Sequence, residues 1–166
     1  MTTAPVHVRA ADATVLADGP TSLITLLADA GATGDALTAN RATLHRGSPG
    51  APPHLHTRAA ESFFVLDGVL EVLVGDEIRT LRRGDFLVVP AGTPHAFAPA
   101  RDEAADVLVV FTPGIDRFDY YRLLERVHRG EADPAEIAAS GERFDNHYVD
   151  SPLWRARSEA ASGPGR

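Results

Sequence analysis

The stretch "PHLHTRAAESFFVLDG", residues 53 to 68, places two histidines and a glutamate at the start of an apolar segment. In an extended strand, residues two positions apart lie on the same face, so the side chains of His54 and His56 point the same way. Glu61 follows at the entrance to the next apolar strand, from which its carboxylate can turn back toward the imidazoles. We therefore expect these three side chains to form one polar site inside a sheet.

A second stretch, "GDFLVVPAGTPHAF" at residues 84 to 97, adds a fourth candidate. Gly84, Pro90 and Gly92 are turn-forming residues on either side of a short strand, and none of them offers a side chain for chemistry. His95 opens the strand that follows. An imidazole at that position can join the polar site.

The residues around these two stretches predict an all-β domain. From residue 36 to residue 112, short segments rich in Val, Leu, Ile, Thr and Phe alternate with turn signals at regular intervals, which is typical of a sandwich or barrel. Asp67-Gly68 and Gly75-Asp76 are both hairpin signals, so we expect antiparallel strands. No internal repeat is visible, which favours one barrel over two.

The flanking residues follow other patterns. Residues 1–35 mix short apolar stretches with Gly and Asp and predict an arm or early strands. Residues 113–154 predict a helical extension, with one helix over residues 116–129 and a second that begins at Asp133 as N-cap. The final segment, residues 155–166, predicts a loose tail.

Composition limits the possible functions. The 166 residues suit one domain, 44% of them are hydrophobic, and the absence of cysteine excludes disulfides, thiolate nucleophiles and sulfur-ligated metals. A net charge of -7 disfavours binding to nucleic acid. No apolar run approaches the roughly 18 residues that span a bilayer, and no secretory signal opens the sequence, so we expect a cytoplasmic protein without membrane contact.

The two quoted stretches resemble the two motifs of the cupin superfamily. The first has two histidines one residue apart, then Glu61, then Gly68 after six intervening residues. The second has Gly84, Pro90, Gly92 and His95 at the spacing of the family. Two positions depart from the pattern, because Ser48 and Pro99 stand where the family has Gly and Asn. Neither position is a metal ligand in the family, so the departures concern loop geometry.

The resemblance implies a double-stranded β-helix, or jelly-roll barrel, that holds one divalent metal through His54, His56, Glu61 and His95. Nitrogen and oxygen ligands suit Fe, Ni, Mn, Co, Cu or Zn, and such a site leaves positions open for water or substrate. A carboxylate in an apolar interior also costs several kcal/mol unless it is paired or coordinated. Glu61 is in addition the candidate general base.

Within that superfamily the chain resembles the quercetinase-like monocupins, which implies a dioxygenase acting on a phenolic or enolic small molecule. It is also similar to the small cupin cyclases of aromatic polyketide pathways, and a non-catalytic binding module is a third alternative. The resemblance further implies a homodimer that pairs through the N-terminal residues. The residues expected to line the substrate pocket are His45, Phe63, Val65, Phe97 and Phe111.

Overall fold

A computed structural model describes residues 4–161, and its core is an antiparallel β structure. The strand order is β1-β2-β3-β9-β5-β8-β4-β10, with β6 and β7 both paired to β5. The prediction of an all-β fold is confirmed. The strands are β1 Val15–Ala17, β2 Ser22–Ala28, β3 Thr38–Leu44, β4 Ala51–Leu55, β5 Ala60–Val74, β6 Glu77–Arg82, β7 Phe86–Val89, β8 His95–Pro99, β9 Ala105–Thr112 and β10 His147–Tyr148.

The long strand β5 joins the two halves of the curled sheet. Its first half pairs with β7 and β9, and its second half pairs with β6 and β8. Gly75-Asp76 forms the predicted hairpin turn between β5 and β6. One continuous strand therefore carries Glu61 near its start and forms part of both walls of the barrel.

The second predicted hairpin, at Asp67-Gly68, is wrong. These residues lie inside β5, where the pairing with β9 shifts register between Val65 and Asp67. Gly68 has φ 77°, and a Cβ there would lie 2.0 Å from the carbonyl oxygen of Ala104. The Asp-Gly pair thus marks an irregularity at which β5 bends between the two halves, and a glycine is needed because another backbone comes very close.

The interior of the barrel is filled by side chains that alternate along β5 and β9. In β9 the buried positions recur every second residue, as expected for a strand with one face on the core. In β5, Phe63 and Val65 are fully buried, and they pack with Val107, Val109 and Phe111. This apolar layer surrounds the polar site.

The residues outside 36–112 contribute more strands and helices to the fold than the sequence indicates. Strands β1 and β2 pair with each other, and β2 pairs with β3, so the sheet starts well before residue 36. The helices are α1 Ala30–Thr33, α2 Phe118–His128, α3 Pro134–Ala139, α4 Gly141–Phe144 and α5 Pro152–Ala161. Asp133 caps α3 in a capping box, as predicted.

Helix α2 covers one open end of the barrel. Its Tyr120 and Tyr121 are buried against Leu16, Ile24 and Leu26 of the first strands. The apolar stripe of this helix and the inward face of β1 and β2 therefore shield each other from water. No helix within residues 4–161 is long and apolar enough to cross a membrane.

The predicted loose tail differs from the structure over residues 155–161, which belong to α5. Trp154 is 4% exposed and packs with Leu73 and two alanines of β8. Arg157 donates a hydrogen bond from Nε to Glu71 Oε2 at 2.7 Å. The sequence of this helix has no strong amphipathic repeat, so it does not predict a helix. One tryptophan and one arginine hold the helix against the sheet. The remaining part of the predicted tail, residues 162–166, lies outside the described residues.

Candidate metal centre

Neighbouring strands bring the four candidate ligands together. His54 lies in β4 and faces His95 of β8 in the strand register, while Glu61 lies in β5. His56 follows the end of β4. One ligand atom from each of these residues lies within 4.8 Å of the others, and all four residues are buried. The sequence segments that hold the two motifs therefore meet at one point inside the barrel.

The geometry centres on one oxygen of Glu61. Its Oε2 lies 2.6 Å from Nε2 of His95, 3.0 Å from Nε2 of His56 and 3.8 Å from Nε2 of His54. Each imidazole uses its other nitrogen to contact a backbone carbonyl. Nδ1 of His54 lies 2.8 Å from the Pro52 oxygen, Nδ1 of His95 lies 2.9 Å from the Thr93 oxygen, and Nδ1 of His56 contacts the Asp145 oxygen.

These carbonyl contacts determine what the site can bind. A carbonyl oxygen only accepts, so each Nδ1 donates, and in a neutral imidazole the Nε2 then carries a lone pair. Three lone pairs and one carboxylate oxygen consequently face each other. Two acceptors at hydrogen-bond distance repel unless a cation lies between them, either a proton or a metal ion. The donor set of three imidazoles and one carboxylate fits a divalent transition metal, with each ring held by its second hydrogen bond.

The pKa shifts of these residues also indicate a negatively charged carboxylate among the three imidazoles. Burial lowers the pKa of His54 well below its usual value, and the adjacent His95 and His56 lower it further. Burial would raise the pKa of Glu61, but its contacts with His56 and His95 hold the pKa well below the usual range. Burial would also lower the pKa of His95, yet the bond to Glu61 outweighs this and raises it. The carboxylate is thus charged, and it favours a cation beside it.

The C-terminal extension supports the centre through Asp145. Its carbonyl oxygen accepts from His56, and its carboxylate accepts hydrogen bonds from the amides of Thr57 and Arg58 at 2.8 and 2.9 Å and from the Thr57 hydroxyl at 2.6 Å. Burial would raise the pKa of Asp145, but these hydrogen bonds hold it below the usual value. Asp145 therefore anchors the turn that follows His56.

A cavity of about 590 Å³ opens beside the centre. This volume is within the range of small-molecule sites. His54 and Glu61 lie in its wall at the metal end, and Arg117 and Asn146 lie in the wall as well. Apolar side chains that line the cavity include Ala42, Leu44, Phe97, Val109, Leu124 and Trp154. The arrangement can hold a small molecule next to a metal ion with little water around it.

Only one of the residues expected to line a substrate pocket does so. Phe97 lies in the cavity wall. The expectation is wrong for His45, which follows the last residue of β3, is exposed and does not line the cavity. It is also wrong for Phe63, Val65 and Phe111, which are fully buried core residues and do not line the cavity. Glu61 and Val109, on the same strand faces, do line the cavity, so these three side chains lie farther along the barrel in its packed layer.

The sequence reasoning missed Asp145, Arg117 and Asn146. All three lie in the extension after β9 and are buried, with exposures of 0%, 4% and 4%. In the sequence these three residues are ordinary polar residues of a segment predicted to be helical. Nothing in it indicates that their side chains are buried. No spacing rule connects them to the motifs, so the signal lies in the tertiary structure alone.

Comparison with known proteins agrees with this fold. Residues 40–111 match the family model described as a cupin domain. A segment of 46 residues is 44% identical to quercetin 2,3-dioxygenase of Bacillus subtilis and covers 28% of this chain. The chain spans 14% and 58% of the length of the two curated relatives that it matches.

Two solved structures illustrate the likeness in fold. KdgF from Halomonas sp. is 27% identical with a TM-score of 0.50, and the match covers 60% of this chain and 87% of KdgF. An RmlC-like cupin from Shewanella frigidimarina is 19% identical with a TM-score of 0.60, and the match covers 71% of this chain and 99% of that cupin. The antiparallel barrel with a buried polar centre is thus that of a cupin. Residues 40–111 match a cupin domain, and the strands of the protein form the cupin fold.

Proposed function

We propose that this cupin is a metal-dependent enzyme that acts on a small molecule, and that its reaction is a quercetinase-like dioxygenation of a phenolic or enolic substrate. One divalent transition metal would be held by Nε2 of His54, His56 and His95 and by the carboxylate of Glu61. The observation that carries the proposal is the convergence of three imidazole nitrogens on one Glu61 oxygen at the wall of a mainly apolar cavity.

The chain's own residues suit an acidic hydroxyl substrate. When bound, the metal ion supplies Lewis acidity and a fixed point for a substrate oxygen. Glu61 is the buried base at that point, and it can accept the proton of a phenol or enol. Phe97, Val109 and Leu44 exclude water from the cavity, which strengthens electrostatic interactions at the centre.

The choice of dioxygenase over other cupin chemistries draws on the 46-residue similarity to quercetin 2,3-dioxygenase. The test is oxygen consumption by protein reloaded with each first-row divalent metal in turn, with quercetin as substrate. We expect metal-dependent oxygen uptake that ceases when the metal is chelated. Absence of uptake with every metal would reject the dioxygenase.

The same experiment distinguishes the alternatives. Consumption of an aromatic polyketide substrate without oxygen uptake would favour the cyclase, and binding without turnover would favour a non-catalytic module. No contact within residues 4–161 favours either alternative over the dioxygenase. The expected homodimer stays a prediction, and light scattering before and after deletion of residues 1–20 would test the role of the N-terminal residues.

A further inference from the structure

A buried guanidinium lies in the wall of the cavity that also contains Glu61. Arg117 precedes α2 and is 4% exposed. Its Cζ lies 4.3 Å from the ring centroid of Tyr120, 4.9 Å from that of Phe111 and 5.1 Å from that of Tyr121. Three aromatic rings therefore hold the guanidinium in place and stabilise it through cation–π contacts.

The hydrogen bonds of this guanidinium are incomplete. Nη1 of Arg117 donates to Oδ1 of Asn146 at 3.2 Å. Two buried donors of the pair, Nε of Arg117 and Nδ2 of Asn146, have no hydrogen-bond partner among the described residues. A buried donor left without an acceptor has lost its water without gaining a replacement, which destabilises the protein. The pair thus keeps two N–H donors for which the described residues provide no acceptor.

The guanidinium also lacks a directly paired anion. No carboxylate of residues 4–161 forms an ion pair with Arg117, although the side chain is buried. The pKa of Tyr121 is raised because burial disfavours the phenolate, so the neighbouring hydroxyl stays neutral. Glu61 in the same wall interacts with the guanidinium electrostatically, but a divalent ion bound at the centre would offset that negative charge. Buried positive charges of this kind are costly without an anion.

The two ends of the cavity share one aromatic ring. Phe111 packs edge-on against His56, with ring centroids 5.2 Å apart, and the same ring lies under the guanidinium of Arg117. Arg117 and the metal centre are therefore neighbours in the wall. A small molecule with polar groups at two positions can therefore contact Glu61 with one and the guanidinium with the other.

We propose that Arg117 and Asn146 form an acid-binding subsite, and that the ligand of the cavity is a small carboxylic acid bearing a separate phenol or enol oxygen. This inference rests on the proposed function, because the second oxygen is directed to the metal centre. The carboxylate binds the guanidinium of Arg117 and the side-chain amide of Asn146, the two polar groups of the extension that line the cavity. A forked guanidinium beside an amide suits the two oxygens of a carboxylate better than it suits a neutral group.

Calorimetric titration of the metal-loaded protein tests the subsite. The probes are 3-hydroxybenzoate and 4-hydroxybenzoate, each compared with its neutral amide, which has the same shape. We expect at least one acid to bind about tenfold or more tightly than its amide, the ratio that a charge-assisted hydrogen bond supplies. If both amides bind as tightly as the acids, or if neither acid binds, the inference is wrong.

Variants show whether Arg117 causes the preference. Arg117→Gln removes the charge, and Asn146→Asp places an internal carboxylate beside the guanidinium, so both should abolish the preference for the acid. Arg143→Gln is the matched control, because Arg143 has a 65% exposed side chain and lies outside the cavity wall. If Arg117→Gln does not fold, the test relies on Asn146→Asp. This variant keeps the Oδ1 acceptor for Arg117. A preference that persists in Asn146→Asp would assign the carboxylate to the metal and overturn the inference.

Metal analysis of the same samples separates this inference from the proposed function. Wild-type protein that takes up metal but shows no acid preference would overturn the subsite alone. Wild-type protein that takes up no metal would overturn the proposed function. The acid preference would then be measured on the metal-free protein, where dependence on Arg117 would still support the subsite.

Discussion

The backbone carbonyl of Asp145 accepts a hydrogen bond from Nδ1 of His56, although the two residues are 89 positions apart. The bond orients the imidazole so that Nε2 faces Glu61, 3.0 Å away. The chain segment after the barrel is therefore part of the metal centre, because it sets the direction of one of the candidate ligands.

We predict that Asp145→Ala weakens both the fold and the metal centre. The change removes a carboxylate that accepts hydrogen bonds from Thr57 and Arg58, and about 3 kcal/mol of unfolding free energy should be lost with it. Metal affinity should fall because the turn after His56 loses its anchor. Urea unfolding and metal titration measure the two effects.

The control for this change is Asp145→Asn. Asparagine tolerates the left-handed backbone at this position, φ 50°, and keeps one acceptor oxygen. It should therefore lose less stability than the alanine variant. Wild-type stability and metal affinity in Asp145→Ala would show that the extension does not support the centre.

Gly68→Ala should destabilise the barrel more than Gly75→Ala. Both glycines have positive φ, 77° and 59°, so alanine is strained at either position. A Cβ at Gly68 would lie 2.0 Å from the Ala104 oxygen, whereas nothing lies within 4 Å at Gly75. We expect Gly68→Ala to cost about 2 kcal/mol more, by overpacking. Equal melting temperatures would contradict the bend assigned to β5.

Trp154→Ala tests whether α5 is docked. Trp154 is 4% exposed, and its loss should cost about 3 kcal/mol or more. Leu153 in the same helix is 43% exposed, so Leu153→Ala should change stability little. Chemical denaturation compares the two variants. A loose segment would give the same small effect at both positions.

Glu61→Gln separates metal binding from proton transfer. The amide keeps one oxygen for a metal but is no longer a base, so we expect partial metal retention with turnover lowered about 100-fold or more. Oxygen uptake per bound metal is the measurement. Glu142→Gln is the control, because the Glu142 side chain is 98% exposed. Unchanged turnover per metal in Glu61→Gln would refute the role of Glu61 as base.

The spacing of the motifs was sufficient to predict which polar residues meet. His54, His56, Glu61 and His95 meet as the resemblance to the cupin motifs implies, whereas strand periodicity alone predicted only a common direction for His54 and His56. The hairpin expected at Asp67-Gly68 is wrong because the same dipeptide serves a bend within one strand. Local sequence does not distinguish a turn from a close approach of two backbones.

The other half of the site depends on contacts between distant segments. Arg117 and Asn146 are 29 positions apart, and each is an ordinary polar residue in its own segment. Their burial follows from the docking of α2 and α4 against the first strands, which no local pattern records. Residues of the C-terminal extension, which no local pattern connects to the barrel, therefore line the cavity, whereas Phe63, Val65 and Phe111 do not.

The most direct measurement is the metal content of protein that has been loaded with a first-row divalent metal and then dialysed. The proposed centre predicts about one tightly held ion per chain in the wild type and in the exposed-histidine control His45→Ala. It predicts loss of that ion in His54→Ala and in His95→Ala. A wild-type protein that retains no metal, or full metal content in both of these variants, would contradict the account.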